Sequence, residues 1–212
     1  MLQPPITAII LGALLGLRHA TDADHVVAVT AIVARERSLA RAAGIGALWG
    51  IGHTLTLLVV GGTIVAFRLV IPPRIGLGLE FSVALMLITL GFTTLRARDD
   101  APRATIRPFL VGLVHGLAGS AAVVLLVLAT IRGTVASLVY LFVFGLGTIL
   151  GMMVVTMLLA VPAWYAGARV MRFQSRIRLV AGALNIVVGL LLARELIVDG
   201  GLFAEIPTWD PR

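Results

Sequence analysis

Arg18-His19-Ala20-Thr21-Asp22-Ala23-Asp24-His25 stands between two apolar runs, residues 6–15 and 26–34. Its eight positions hold five ionisable side chains and a threonine. The flanks read as membrane. A charged side chain at bilayer depth costs roughly 2.5–3.5 kcal/mol even on the mildest scale. Two Asp, two His and an Arg at that depth need a compensating partner, and a cation is the obvious one.

Moving outward, the 212 residues are 59% hydrophobic and 13% charged, with a mean hydropathy of +1.07. A soluble domain carries about 25% charged residues. The chain therefore reads as an all-α integral membrane protein with little soluble mass. Apolar blocks at 5–34, 42–67, 76–95, 108–131, 137–165 and 179–197 are each long enough for a helix of roughly 20 residues to cross a bilayer. This predicts about six transmembrane helices in one membrane domain. Pro4-Pro5 suits a helix start, and Pro72-Pro73 and Pro102 interrupt the chain between blocks. The tail Ile206–Arg212 reads as interfacial or mobile. No basic region or small-residue cleavage site marks the N-terminus, so no signal peptide is expected. There is no Cys, hence no disulfide and no thiolate metal site.

The net charge is +7, and all 17 basic residues are Arg. They fall between apolar blocks rather than on one soluble module, which excludes a nucleic-acid partner. Eleven lie in the connections between blocks one and two, three and four, and five and six, against five on the other face, with Arg18 inside block one. By the positive-inside rule the eleven-Arg face is cytoplasmic and both termini lie outside. The setting is a bacterial or archaeal cytoplasmic membrane, and a homo-oligomer is left open.

The two halves echo one another. Gly16-Leu17-Arg18-His19 aligns with Gly112-Leu113-Val114-His115, Gly50-Ile51-Gly52-His53 with Gly145-Leu146-Gly147-Thr148, and Gly91 with Gly189. Three helices per half is an odd number, so the second copy must enter the membrane inverted. The expected architecture is a 3+3 inverted repeat, residues 1–100 and 101–212, a transporter arrangement with its site at the midplane. Convergent Gly-rich helix packing would give the same matches.

On a regular helix each residue turns about 100° and rises about 1.5 Å. His19, Asp22 and His25 then share a stripe, while Asp24 points away. His19 and His25 are also about 9 Å apart along the axis, too far to bind one ion through ligand bonds of about 2 Å. The donors converge only if the helix unwinds around Ala20–Asp24, as irregular segments lining a membrane cavity do. A break is expected there. Imidazole with carboxylate suits borderline dications such as Ni²⁺, Co²⁺ and Zn²⁺, and imidazole binds metal only when unprotonated. A structural Arg18–Asp22 pair at i, i+4 would leave Asp24 and both histidines unexplained.

The run His19-x-x-x-x-Asp24-His25 resembles the signature of the nickel/cobalt transporter (NiCoT) family and of related urease-accessory-type nickel permeases. Gly50-Ile51-Gly52-His53-Thr54 is similar to that family's second motif, a Gly-His-Ser/Thr in the next helix. The resemblance implies metal-binding roles for His19, Asp22, Asp24 and His25, with His53 beside them, and covers the first two blocks. The chain departs from the family in having room for six helices rather than eight. It also lacks the later Phe-Asp-Thr-Ala-Thr-Glu motif, and Ala118 and Ser120 stand where the repeat would put Asp22 and Asp24.

His115 is a further donor from the second half, as ligand or gate, and Arg18 could balance the carboxylates of the empty site. Ser120, Thr54 and Asn185 read as interhelical hydrogen bonds, and Met86, Met152 and Met153 as packing. Glu80 sits near a helix start, where the macrodipole favours a carboxylate, with no transport role. The reading is a permease moving Ni²⁺ or Co²⁺ by alternating access, with no resident cofactor. One alternative is an exporter of small amphipathic solutes on a similar repeat, the charged run pairing with their amino and carboxyl groups. Another is a membrane metalloenzyme using metal-bound water. That needs a general base and a substrate path, and no second acidic cluster supplies one, so an enzyme is not expected. A non-transporting structural subunit would tolerate loss of His19 or Asp24.

Overall fold

A computed structural model describes residues 5–33, 36–67, 69–96, 106–117, 131, 133–166 and 171–209. Among the described residues the chain is all-helical: α1 (Pro5–His19), α2 (Ala23–Val33), α3 (Leu39–Phe67), α4 (Pro73–Arg96), α5 (Arg107–Gly116), α6 (Thr134–Ala166) and α7 (Met171–Val198). Four of these, α3, α4, α6 and α7, are long and apolar enough to cross a membrane. They correspond to apolar blocks two, three, five and six. Block one is divided into two shorter apolar helices. Block four begins as the short α5, and residues 118–130, with Ser120, lie outside the described residues.

The division of block one falls where the charged run demanded it. Ala20, Thr21 and Asp22 form a turn between α1 and α2. The Thr21 amide and hydroxyl both donate to the Arg18 carbonyl, at 2.8 and 2.6 Å, and the Asp22 amide donates to the His19 carbonyl at 3.1 Å. These local bonds compete with the helical ladder, as Ser, Thr and Asp do. The next helix restarts with the Val26 amide on the Asp22 carbonyl, 3.0 Å.

Packing is by close backbone approach. α3 lies on α6 and on α5, α1 on α6, and α4 on α7, with α2 held against α4, α6 and α7. The glycine contacts recur in matched pairs. A Cβ on Gly16 would collide with the Phe144 carbonyl and the Thr148 amide; one on Gly112 would collide with the Trp49 carbonyl and the His53 amide. Gly147 meets the Ala13 carbonyl as Gly52 meets that of Phe109. Gly91 meets Gly182 and Ile186 as Gly189 meets Ala84 and Ile88. Thr54 donates to the Gly145 carbonyl at 3.1 Å, the interhelical bond expected of it.

The exterior remains apolar. Phe142, Leu146, Leu150, Val154 and Leu158 stay exposed along α6, a continuous face that lipid would cover. Met152 is buried between helices and Met86 packs against the core of Val83, Leu87 and Leu90, so both fill space as expected. Asn185 is fully buried and donates to the Val27 carbonyl at 2.7 Å, tying α2 to α7. Leucine there removes this bond between helices, while the Val27 carbonyl keeps the Thr30 hydroxyl at 2.6 Å. The expected cost is about 0.5–1.5 kcal/mol, read as a lower melting temperature in detergent.

Candidate metal centre

The centre forms where α1 ends, α2 begins, and α3 and α5 pass behind them. His19 is the last residue of α1, Asp24 and His25 lie in the first turn of α2, His53 is midway along α3, and His115 is in the last turn of α5. All four histidines are buried. Their rings form one cluster around His25, whose centroid is 4.5 Å from that of His19, 5.2 Å from His53 and 4.1 Å from His115. Trp49, itself fully buried, stacks on His25 at 6.2 Å.

The carboxylates set the rings. Asp22 Oδ2 is 2.8 Å from His19 Nδ1. Asp22 therefore turns to His19, because the turn at 20–22 has removed the i, i+4 register a pair with Arg18 needs. Asp24 bridges two histidines: Oδ1 is 3.0 Å from His25 Nδ1 and Oδ2 is 3.0 Å from His115 Nε2. Oδ1 also accepts the His25 amide at 2.9 Å. A ring N–H given to a carboxylate leaves the opposite nitrogen with its lone pair, the arrangement that orients metal-ligating histidines. The opposite nitrogens are indeed bare. His19 Nε2, His25 Nε2, His115 Nδ1 and both nitrogens of His53 are buried and have no hydrogen-bond partner.

Among the described residues, two donor groups could each hold an ion: His19, His25 and His53, and Asp24, His25 and His115. In each, one ligand atom per residue lies within 4.8 Å of the others. His25 belongs to both. The backbone adds to the field, since α1 and α5 point their C-terminal ends at the cluster. Helix C-termini carry partial negative charge and favour cations.

The structure thus brings together His19, Asp24, His25, His53 and His115. Asp22 reaches the cluster only through His19 and is half exposed. Arg18 and Asp22 line a cavity of about 550 Å³ with His19, Asp24, Glu80 and Glu195. Sequence reasoning gave Glu80 no part here and did not single out Glu195. Glu80 is buried and accepts a 2.8 Å hydrogen bond from the Trp209 indole, so the tail expected to be interfacial or mobile is docked as far as Trp209. Its partner is more than a hundred residues away, and no local pattern could have linked them.

No family model matches the chain, and no solved structure matches it. The chain is similar to urease accessory protein UreH of Bacillus sp. (strain TB-90), with 34% identity over 93% of this chain and 95% of that protein.

Proposed function

This chain belongs to the UreH family of urease accessory proteins, and from that premise we propose that it is a membrane permease for Ni²⁺, with Co²⁺ as the nearest alternative cargo. It is not itself an enzyme. One observation carries the reading: His19, His25 and His53, on three separate helices, lie close enough together to share one ion, and each has a buried ring nitrogen with no hydrogen-bond partner. A buried polar group without a partner costs about 1–3 kcal/mol, and several in contact make sense when a ligand completes them. Neutral imidazole with carboxylate support selects borderline dications over Mg²⁺ or Ca²⁺, which prefer oxygen.

The proposed ligands are His19, His25 and His53. Asp24 and His115 form the adjoining set, and Asp22 orients His19. Arg18, at the cavity wall, balances the carboxylates of the empty site. Alternating access follows from a 3+3 inverted repeat in the cytoplasmic membrane with both termini outside. The matched glycine contacts support that repeat: Gly16, Ala13, Phe144 and Thr148 exchange roles with Gly112, Phe109, Trp49 and His53. The same correspondence puts His115 in the place of His19 and Thr148 in that of His53, so the two half-sites are unequal.

The test is uptake of Ni²⁺, Co²⁺ and Zn²⁺ by proteoliposomes, comparing wild type with Asp24→Asn. The amide keeps the shape but weakens both ring contacts. Loss of such a supporting partner lowers metal affinity or activity by roughly 10- to 100-fold. If none of the three ions moves, or the variant matches wild type, the reading is wrong.

A further inference from the structure

The cavity lies on one side of the histidine cluster. Its wall runs from His19, Asp22 and Asp24 past Val83 and Val188 to Glu80, near the start of α4, and Glu195, near the end of α7. His25, His53 and His115 are not in its wall and lie deeper. The start of α4 and the end of α7 are opposite the Arg-rich connections, which hold eleven of the 17 arginines. By charge asymmetry that end faces away from the cytoplasm.

The tail is built onto this end. The Asp199 and Gly200 amides both donate to the Glu195 carbonyl and close the end of α7, and Gly201 turns the chain with a φ of +63°. Arg74 Nη2 donates to the Ala204 and Glu205 carbonyls at 3.0 and 3.2 Å, and the Thr208 amide donates to the Gly200 carbonyl at 3.0 Å. The Trp209 ring then fills the notch left by Gly76, where a Cβ would strike the indole. Its Nε1–H reaches Glu80 Oε1.

Resting on the permease reading, we propose that this cavity is the outer entrance to the histidine cluster, and that the C-terminal tail straps it through the Trp209–Glu80 bond. An arriving dication meets Glu80 and Glu195 first, then Asp22, and only then the imidazoles. Carboxylates at the mouth raise the local cation concentration. While Trp209 holds Glu80, one carboxylate oxygen is committed to the tail. When the indole leaves, the tail no longer holds that oxygen.

The chain has no cysteine, so single cysteines report without background. Val188→Cys and Leu192→Cys, two independent positions in the wall, are treated in intact cells with a membrane-impermeant maleimide. Both should label from outside, whereas Ser38→Cys, in an Arg-rich connection, should label only after permeabilisation. Adding Trp209→Phe keeps the ring and removes the N–H. Labelling of the wall cysteines should then speed up by about tenfold, the size that loss of one hydrogen bond to a charged group carries. Wall cysteines that label only after permeabilisation overturn the entrance, and an unchanged rate with Trp209→Phe overturns the strap. Added Ni²⁺ should slow the labelling; labelling from outside that Ni²⁺, Co²⁺ and Zn²⁺ all leave unaltered counts against the permease reading instead.

Discussion

His25→Ala is expected to reduce Ni²⁺ uptake by proteoliposomes to the leak of protein-free vesicles. The reason is the position of the ring. It sits within 4.1–5.2 Å, centroid to centroid, of His19, His53 and His115, and it belongs to both three-donor groups. Removing His53 or His115 leaves one group intact; removing His25 leaves two pairs. Loss of even a supporting contact weakens metal sites by roughly 10- to 100-fold, so loss of the shared ligand should exceed about 100-fold, or about 2.7 kcal/mol. The rest of the fold should survive, because His25 contributes no bond between distant helices except through Asp24. Unaltered helicity and elution volume with no uptake is the expected pair of results. Uptake near the wild-type rate would rule out the cluster as the transport site.

Gly16→Val should be the most damaging substitution for stability, with Gly112→Val close behind. At each, any Cβ would collide with backbone of the facing helix: the Phe144 carbonyl for Gly16, the Trp49 carbonyl for Gly112. Backbone cannot rotate aside as a flexible side chain can. Overpacking costs about 1–3 kcal/mol and occasionally more. At about 3 kcal/mol the melting temperature should fall by roughly 6–12 °C for a chain of this size. Gly44→Ala and Gly78→Ala are the controls, since no atom lies within 4 Å of a Cβ built there. Those should be neutral, or stabilising by up to about 1 kcal/mol, because alanine is the better helix former. A melting temperature for Gly16→Val equal to that of the controls would mean that α1 and α6 do not approach so closely.

The two predictions differ in how far the sequence foreshadowed them. His25 was legible because charge in an apolar run is conspicuous on its own. The break after His19 was legible for the same reason, since a regular helix would hold His19 and Asp24 on different sides. His53 and His115 were visible as lone histidines in apolar blocks, but no spacing says that helices thirty and ninety residues away bring them to one point. Asp22 and Asp24 were read as ligands beside the histidines, and what no spacing could give is which ring each carboxylate meets: Asp22 lies 2.8 Å from His19, and Asp24 bridges His25 and His115 at 3.0 Å while standing in a donor group with them. Glu80 was read from its own helix alone, as a carboxylate placed for the macrodipole, and its indole partner comes from the other end of the chain.

What the sequence determined by itself is local: an apolar, all-helical chain, a charged run that cannot remain a regular helix, and donors of imidazole and carboxylate type. Hydropathy, turn chemistry and charge act between near neighbours, and a linear reading captures them. Only the tertiary structure decided which nitrogens are bare, which carboxylate orients which ring, and that the tail closes on α4. Those depend on backbones that meet where glycine leaves no Cβ between them, and contact at that range is a property of distance in space rather than of order along the chain.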